Sequence, residues 1–151
     1  MKLKKAIEFA TKAHEGQTRK YTGEPYIVHP LEVADIVKTV EHTEEMLMAA
    51  VLHDTVEDTD TTIQDIDREF GPVVAQLWEE ITDVSKPEDG NRAFRKGLDR
   101  EHSAQASAQG QTIKVADLIS NTKSITEHDP HFAKVYMKEK ALLLSLIHIW
   151  R

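Results

Sequence analysis

The segment His53-Asp54-Thr55-Val56-Glu57-Asp58 places four ionisable side chains within six residues, directly after the apolar run Met46-Leu47-Met48-Ala49-Ala50-Val51-Leu52. Such a cluster has to be hydrated, paired or bound to a metal, because an unpaired buried charge is costly. Adjacent His and Asp residues offer an imidazole nitrogen and a carboxylate oxygen together, a donor pair suited to a divalent cation of intermediate hardness. If the helix carrying the apolar run continues through the doublet, Glu57 shares a face with His53 and hangs close to whatever the doublet holds. His29, in Tyr26-Ile27-Val28-His29-Pro30, and Asp117, in Lys114-Val115-Ala116-Asp117-Leu118-Ile119-Ser120-Asn121, complete a candidate set of two nitrogens and two oxygens. That set leaves coordination positions for water and a phosphate oxygen, and without thiolate it suits Mn²⁺, Fe²⁺ or Zn²⁺.

The elements that must position these residues are helical. Nearly every segment has a helical period and no stretch alternates convincingly, so the chain reads as all-α, with about six to eight helices. Leu3, Ala6, Ile7, Ala10 and Ala13 form one stripe, and Gly16 closes that helix in a left-handed conformation. A loop over about 17–29 holds Arg19, Lys20, Gly23 and Pro25, and Pro30 opens a helix carried by Leu31, Val33, Ala34, Ile36, Val37 and Val40. Thr43 is a candidate N-cap, with Glu44 and Glu45 in the first turn where the helix dipole favours acids; this helix is expected to run through the His53-Asp54 doublet. Thr62 and Asp65 resemble a capping box for a short helix that Gly71 ends. Pro72 to Thr82 is amphipathic, 85–91 has the composition of a mobile connection, and a polar helix over about 92–109 is expected to break at Gly110. A helix from Gln111 to Ile125 presents Asp117, and Asp129-Pro130 caps a final helix from about His131. The apolar end, Leu142 to Arg151, reads either as the close of that helix or as a truncated or non-native tail.

Composition narrows the classes. The 151 residues fit one domain, 1–151, long enough to bury about two thirds of the unfolded surface. A net charge of −7, with 26 acidic and 19 basic residues, argues against general nucleic-acid binding, since a phosphate-tracking protein presents a net basic face. A small anionic substrate needs only a local basic patch, and a bound cation inverts the local potential. The absence of cysteine excludes disulfides, thiolate zinc sites and cysteine nucleophiles, and fits a reducing cytoplasm. No apolar run approaches the roughly 20 residues of a membrane span, and Met1-Lys2-Leu3-Lys4-Lys5 opens an amphipathic helix rather than a signal peptide. Oligomeric state is not legible; a homodimer is one option.

The pattern H…HD…D, together with its flanks, resembles the HD-domain metal-dependent phosphohydrolases, and within them the RelA/SpoT-type hydrolases of (p)ppGpp. The flanks carry the specificity: Ala13-His14-Glu15-Gly16-Gln17-Thr18-Arg19-Lys20, then Thr22-Gly23-Glu24-Pro25-Tyr26-Ile27, then the His-Pro, HDTVEDT and KVADLISN blocks, in order from about Ala6 to Ile125. The resemblance implies a small stand-alone hydrolase with His29, His53, Asp54 and Asp117 as ligands to Mn²⁺. Glu57 and Asp58 would orient or deprotonate the attacking water and protonate the leaving oxygen; Arg19, Lys20, Lys114 and Asn121 would contact the guanosine nucleotide. Where relatives commonly carry an arginine-containing stretch after the Asn, this chain has Thr122-Lys123-Ser124. The alternatives are another nucleotide phosphate, such as that of NADPH, or a nucleotide-binding module without turnover. Of the other histidines, His14 reads as structural and His42, His102, His128, His131 and His148 as mostly exposed, and Trp78 and Trp150 read as packing residues.

Overall fold

Thr43 and Ser107 show how the sequence starts its helices: Thr43 Oγ1 accepts from the Met46 N–H at 3.2 Å and Ser107 Oγ from the Gly110 N–H at 3.1 Å. Each satisfies a donor that the first helical turn leaves unpaired. A computed structural model describes residues 2–145, the Asp58 side chain excepted. Among them lie α1 (Lys2–Ala13), α2 (Val28–Val37), α3 (Glu44–Leu52), α4 (Thr55–Asp58), α5 (Ile63–Phe70), α6 (Pro72–Ile81), a 3₁₀ turn (Pro87–Asp89), α7 (Arg92–Ala104), α8 (Ala108–His128) and α9 (Pro130–Leu144). The expected all-α fold is therefore present, with eight longer helices and the four-residue α4. The expectations for His148, Trp150 and the end of the chain beyond 145 lie outside the described residues.

α3 is the centre of the fold. Met46 to Leu52 are all buried, so this helix is apolar on every side, as a helix enclosed by others must be. α1, α2, α6 and α8 pack around it, contributing Ala6, Ala10, Val33, Val37, Val74 and Ile113 to one core, which Ile66 of α5 joins. Each such Val or Ile side chain contributes about 1.5–3 kcal/mol by leaving water. The expected capping box forms at Thr62 and Asp65, and Gly71, at φ 94°, ends α5 in a conformation that a side chain would strain.

Four boundaries differ from the expectations. α3 stops at Leu52 rather than running through His53-Asp54, because side chains occupy the carbonyls that a continuing helix would use: His53 Nδ1 donates to Ala50 O at 2.6 Å, Thr55 Oγ1 to Leu52 O at 2.7 Å and Trp78 Nε1 to His53 O at 3.2 Å. The argument that His53 and Glu57 share one helical face fails with it. α2 begins at Val28, so His29 lies within its first turn, where Pro30 is tolerated because that N–H has no helical partner. The 85–91 connection holds the 3₁₀ turn Pro87–Asp89, and its start is tied to α7: Asp99 accepts from the Val84 N–H at 3.0 Å, the Ser85 N–H at 2.9 Å and the Ser85 hydroxyl at 2.8 Å. Finally, the polar helix breaks at 105–107 rather than at Gly110, which sits in the first turn of α8. A Cβ at Gly110 would lie 2.5 Å from Glu80 Oε2 and 3.3 Å from the Ala106 Cβ, so glycine serves close approach there, not termination.

Candidate metal centre and substrate cleft

Three separate elements bring the HD residues together. His29 comes from the first turn of α2, His53 and Asp54 from the break between α3 and α4, and Asp117 from the middle of α8. His29 Nε2 lies 2.9 Å from Asp117 Oδ1 and 3.8 Å from Asp54 Oδ2; His53 Nε2 lies 3.1 Å from Asp54 Oδ2 and 3.2 Å from Asp117 Oδ1. His29, His53 and Asp54 each offer a donor atom within 4.8 Å of the others. Two donors held about 2.1 Å from one ion lie roughly 3.0–3.5 Å apart in tetrahedral or octahedral geometry; both His53 contacts fall in that range, His29 to Asp117 is slightly shorter and His29 to Asp54 wider at 3.8 Å.

The hydrogen bonds behind the centre fix which atoms face inward. The Ala50 carbonyl can only accept, so His53 keeps its proton on Nδ1 and turns Nε2 to the centre. Buried and hydrogen-bonded to nothing, that Nε2 is an orphaned donor atom aimed between two carboxylates. His29 Nδ1 meets the buried Ser120 hydroxyl at 2.9 Å, a group able to accept or donate. Tyr26 donates its hydroxyl to Asp54 Oδ2 at 2.6 Å, and Asn121 Nδ2 donates to Asp117 Oδ1 at 3.2 Å. An orphaned imidazole nitrogen, a second imidazole and two oriented carboxylates fit a divalent cation.

Electrostatics agree. Burial disfavours charge on His53, but the Asp54 and Asp117 carboxylates outweigh it and hold the imidazole pKa well above its ordinary value. Burial likewise works to raise Asp117, yet His53, His29 and Lys114 hold it well below the usual carboxylate range; Asp54 is lowered against its own burial, chiefly by His53. Two carboxylates thus remain ionised around one proton, the state that a cation replaces.

Beside His29 opens a cleft of about 280 Å³ lined by Arg19, Lys20, Tyr26, Asn121 and Ser124, with Tyr21, Ile125 and Phe132 as an apolar wall. Three of the four residues expected to contact substrate are therefore here. Lys114 is not: its ammonium donates to Ile81 O and Asp83 Oδ1, both at 3.3 Å, and lines a different cavity. Burial lowers the Lys114 pKa, but Asp83 and Asp117 outweigh it, so the group stays charged. Glu57 is exposed on α4; the side chain of Asp58 lies outside the described residues. His14 is structural as expected, buried and bonded through Nδ1 to Gln17 Oε1 at 2.8 Å. Tyr26, Ser120 and the Ala50 carbonyl were not singled out from the sequence. Tyr26 and Ser120 each stand three residues from a candidate ligand, His29 and Asp117, and that helical spacing was the available signal.

A family model described as HD domain matches residues 6–140, and the chain belongs to that family. Within it, the guanosine-3′,5′-bis(diphosphate) 3′-pyrophosphohydrolase MESH1 of Drosophila melanogaster is 36% identical over 132 residues, covering 85% of this chain and 72% of that one. The protein of the same name from Homo sapiens is 37% identical over 131 residues, again 85% and 72%. A guanosine-3′,5′-bis(diphosphate) 3′-pyrophosphohydrolase of Aquifex aeolicus (strain VF5) is 35% identical over 158 residues, 98% of this chain; the chain spans 22% of that relative's length. Among solved structures, a metazoan ortholog of SpoT that hydrolyzes ppGpp superposes with a TM-score of 0.85 at 30% identity, covering 97% of this chain and 85% of the other. Among the described residues no helix is long and apolar enough to cross a membrane.

Proposed function

We propose that this chain is a divalent-metal-dependent hydrolase that removes the 3′-diphosphate of ppGpp or pppGpp, releasing GDP or GTP and pyrophosphate, in the cytoplasm. The observation that carries the reading is the convergence of His29 Nε2, His53 Nε2, Asp54 Oδ2 and Asp117 Oδ1 on one point beside a cleft that Arg19 and Lys20 line. The names of the relatives support the substrate. His29, His53, Asp54 and Asp117 would hold the ion, Mn²⁺ by resemblance. When bound, such an ion supplies charge against the phosphoryl group and makes water more acidic.

The remaining steps belong to side chains. Arg19 grips the diphosphate as a fork and Lys20 adds a point charge, which orients the nucleotide with its 3′-phosphorus toward the centre. Water attacks that phosphorus, and the bond from phosphorus to the ribose 3′ oxygen breaks. Of the neighbouring pair Glu57 and Asp58, one carboxylate takes the proton from water and the other delivers a proton to the 3′ oxygen; two adjacent carboxylates suit this because they disfavour double ionisation. Tyr26 and Asn121 hold Asp54 and Asp117 in place from the cleft side. Lys114, tied to Asp83, acts on the centre through its charge near Asp117.

The test is incubation of purified protein with Mn²⁺ and ppGpp, with pyrophosphate, GDP and bound metal all measured. One pyrophosphate per GDP is expected. His53→Ala and Asp117→Ala should lose both metal and turnover, whereas Glu57→Gln should keep metal and lose turnover by about 10²–10⁴. Bound metal without pyrophosphate release rejects the reading, and release of phosphate from NADPH with ppGpp untouched rejects the guanosine substrate.

A further inference from the structure

Residues 17–26 form a hairpin that carries Arg19 and Lys20 to the cleft beside His29. Backbone bonds close it: the Tyr26 N–H donates to Gln17 O at 2.9 Å and the Arg19 N–H to Glu24 O at 2.8 Å, with a bridge between Thr18 and Pro25. A two-stranded hairpin is marginal in water when nothing else holds it, and Lys20, Thr22, Gly23 and Glu24 at its tip are exposed. The tip is nevertheless tied down from across the molecule. Tyr21 donates its hydroxyl to Asp129 Oδ2 at 3.2 Å, a contact between residues 108 positions apart. Its ring lies nearly parallel to the His128 imidazole, with 5.8 Å between centroids and 14° between planes, and the Lys20 ammonium stands 5.3 Å from the centre of the same ring.

Asp129 is a firm partner for this contact. Its Oδ1 caps α9 by accepting from the Phe132 N–H at 3.1 Å, which fixes the carboxylate and leaves Oδ2 for Tyr21. The hairpin tip is therefore fastened to the corner between α8 and α9 rather than to another loop. Glu32 of α2 stands 3.9 Å from the Arg19 guanidinium and steadies it from a second side. Long basic side chains on a loose loop lose conformational freedom when they grip an anion, and a backbone fixed beforehand lowers that cost. None of these contacts involves a metal ligand.

We propose that Tyr21 is a positioning residue for nucleotide binding: its hydroxyl clasps the hairpin tip to Asp129 and so holds Arg19 and Lys20 at the cleft. The inference rests on the hydrolase reading, in which those two cations grip the diphosphate of a guanosine nucleotide. Because the Tyr21 ring also forms part of the cleft wall, the hydroxyl is the part to vary. Tyr21→Phe keeps the ring, its stack on His128 and its contact with Lys20, and removes only the bond to Asp129. Asp129→Ser removes the acceptor while leaving an oxygen able to cap α9.

The test uses the full chain with Mn²⁺ present. Calorimetry measures GDP binding, and the rate of trypsin cleavage after Arg19 and Lys20 measures opening of the hairpin tip with no nucleotide added. Tyr21→Phe and Asp129→Ser should each bind GDP about three- to tenfold more weakly and be cut faster by about the same factor. Both changes remove one bond, so the double variant should fall no further than the weaker single, and Mn²⁺ affinity should stay within about twofold of the parent. With ppGpp as substrate, KM should rise by the factor seen for GDP while kcat holds. R19Q/K20Q calibrates the GDP measurement. Weak binding by R19Q/K20Q with parental binding by Tyr21→Phe refutes the clasp and leaves the role of the two cations standing. Parental binding by R19Q/K20Q removes the loop from the nucleotide site, and the proposal with it. Additive losses in the double variant, or a lowered melting temperature with GDP binding and cleavage unchanged, also overturn it. GDP binding and cleavage need no turnover, so their outcome is separate from that of the hydrolysis assay.

Discussion

Ser120→Ala isolates the support behind one metal ligand. Ser120 is buried, and its hydroxyl lies 2.9 Å from His29 Nδ1. For His29 to offer its Nε2 lone pair to a cation, Nδ1 must carry the proton, and among the described residues the side chain it meets is this hydroxyl. Removing it leaves a buried N–H without a partner, at a cost of about 1–3 kcal/mol. Part of that falls on folding, because the metal-free protein also uses the contact; the rest falls on binding, where loss of a supporting group typically lowers metal affinity by about 10–100-fold, or roughly 1.4–2.7 kcal/mol. Ser120→Thr keeps a hydroxyl and serves as the conservative control. The assay is competition for Mn²⁺ against a chelator of known affinity, with a melting temperature taken for each metal-free variant. Affinity of Ser120→Ala within twofold of the parent, whatever happens to its stability, would falsify the role given to this hydroxyl.

Two further outcomes follow from the same geometry. Because the folded-state pKa of His53 is raised, its contribution to the stability of the metal-free protein is complete below the ordinary imidazole value near 6.5 and disappears as pH rises through the folded value. Asp54 and Asp117 are lowered, so their contribution holds above the ordinary carboxylate range and fails in acid; metal-free melting temperatures should therefore peak on the mildly acidic side of neutrality, and a flat profile from pH 5 to 9 contradicts the pairing. Leu52→Ala, at a fully buried position one residue from the doublet, should cost about 2–5 kcal/mol by denaturant unfolding, and a loss under 1 kcal/mol would mean that the end of α3 is not the packed core it is taken to be.

How much of this was readable from residue types alone differs between the scaffold and the site. The helical class and the caps at Thr43, Thr62 and Asp129 follow from local signals, because capping and periodicity act over a few residues; the grouping of His29, His53, Asp54 and Asp117, which lie far apart in the chain, comes from the resemblance to the HD family. The expected break at Gly110 treats glycine as a helix breaker, whereas the local signal is the Ser107 N-cap, and Gly110 itself answers to Glu80, a residue from a distant segment lying against its backbone. Lys114 went astray for a related reason. Its spacing from Asp117 puts it on a suitable face of α8, but Asp83 and the Ile81 carbonyl at the end of α6 capture the ammonium.

The break after Leu52 ties these strands together. His53 keeps helical backbone angles, φ −60° and ψ −32°, so the doublet prolongs the direction of α3 past its last hydrogen-bonded turn. Here three side chains occupy the carbonyls of Ala50, Leu52 and His53, and the backbone passes through Asp54 at φ −97°, ψ −3° before α4 begins. The same three bonds that end the helix also set the His53 tautomer and anchor the turn to Trp78 on α6. The apolar burial of 46–52 gives that stop a rigid base, because the core holds the last turn of α3 still behind the ligand pair. Variants that let the helix continue, such as Thr55→Ala, should accordingly weaken metal binding although Thr55 touches no ligand atom, and a Thr55→Ala protein with parental Mn²⁺ affinity would show that the break is maintained by something other than these bonds.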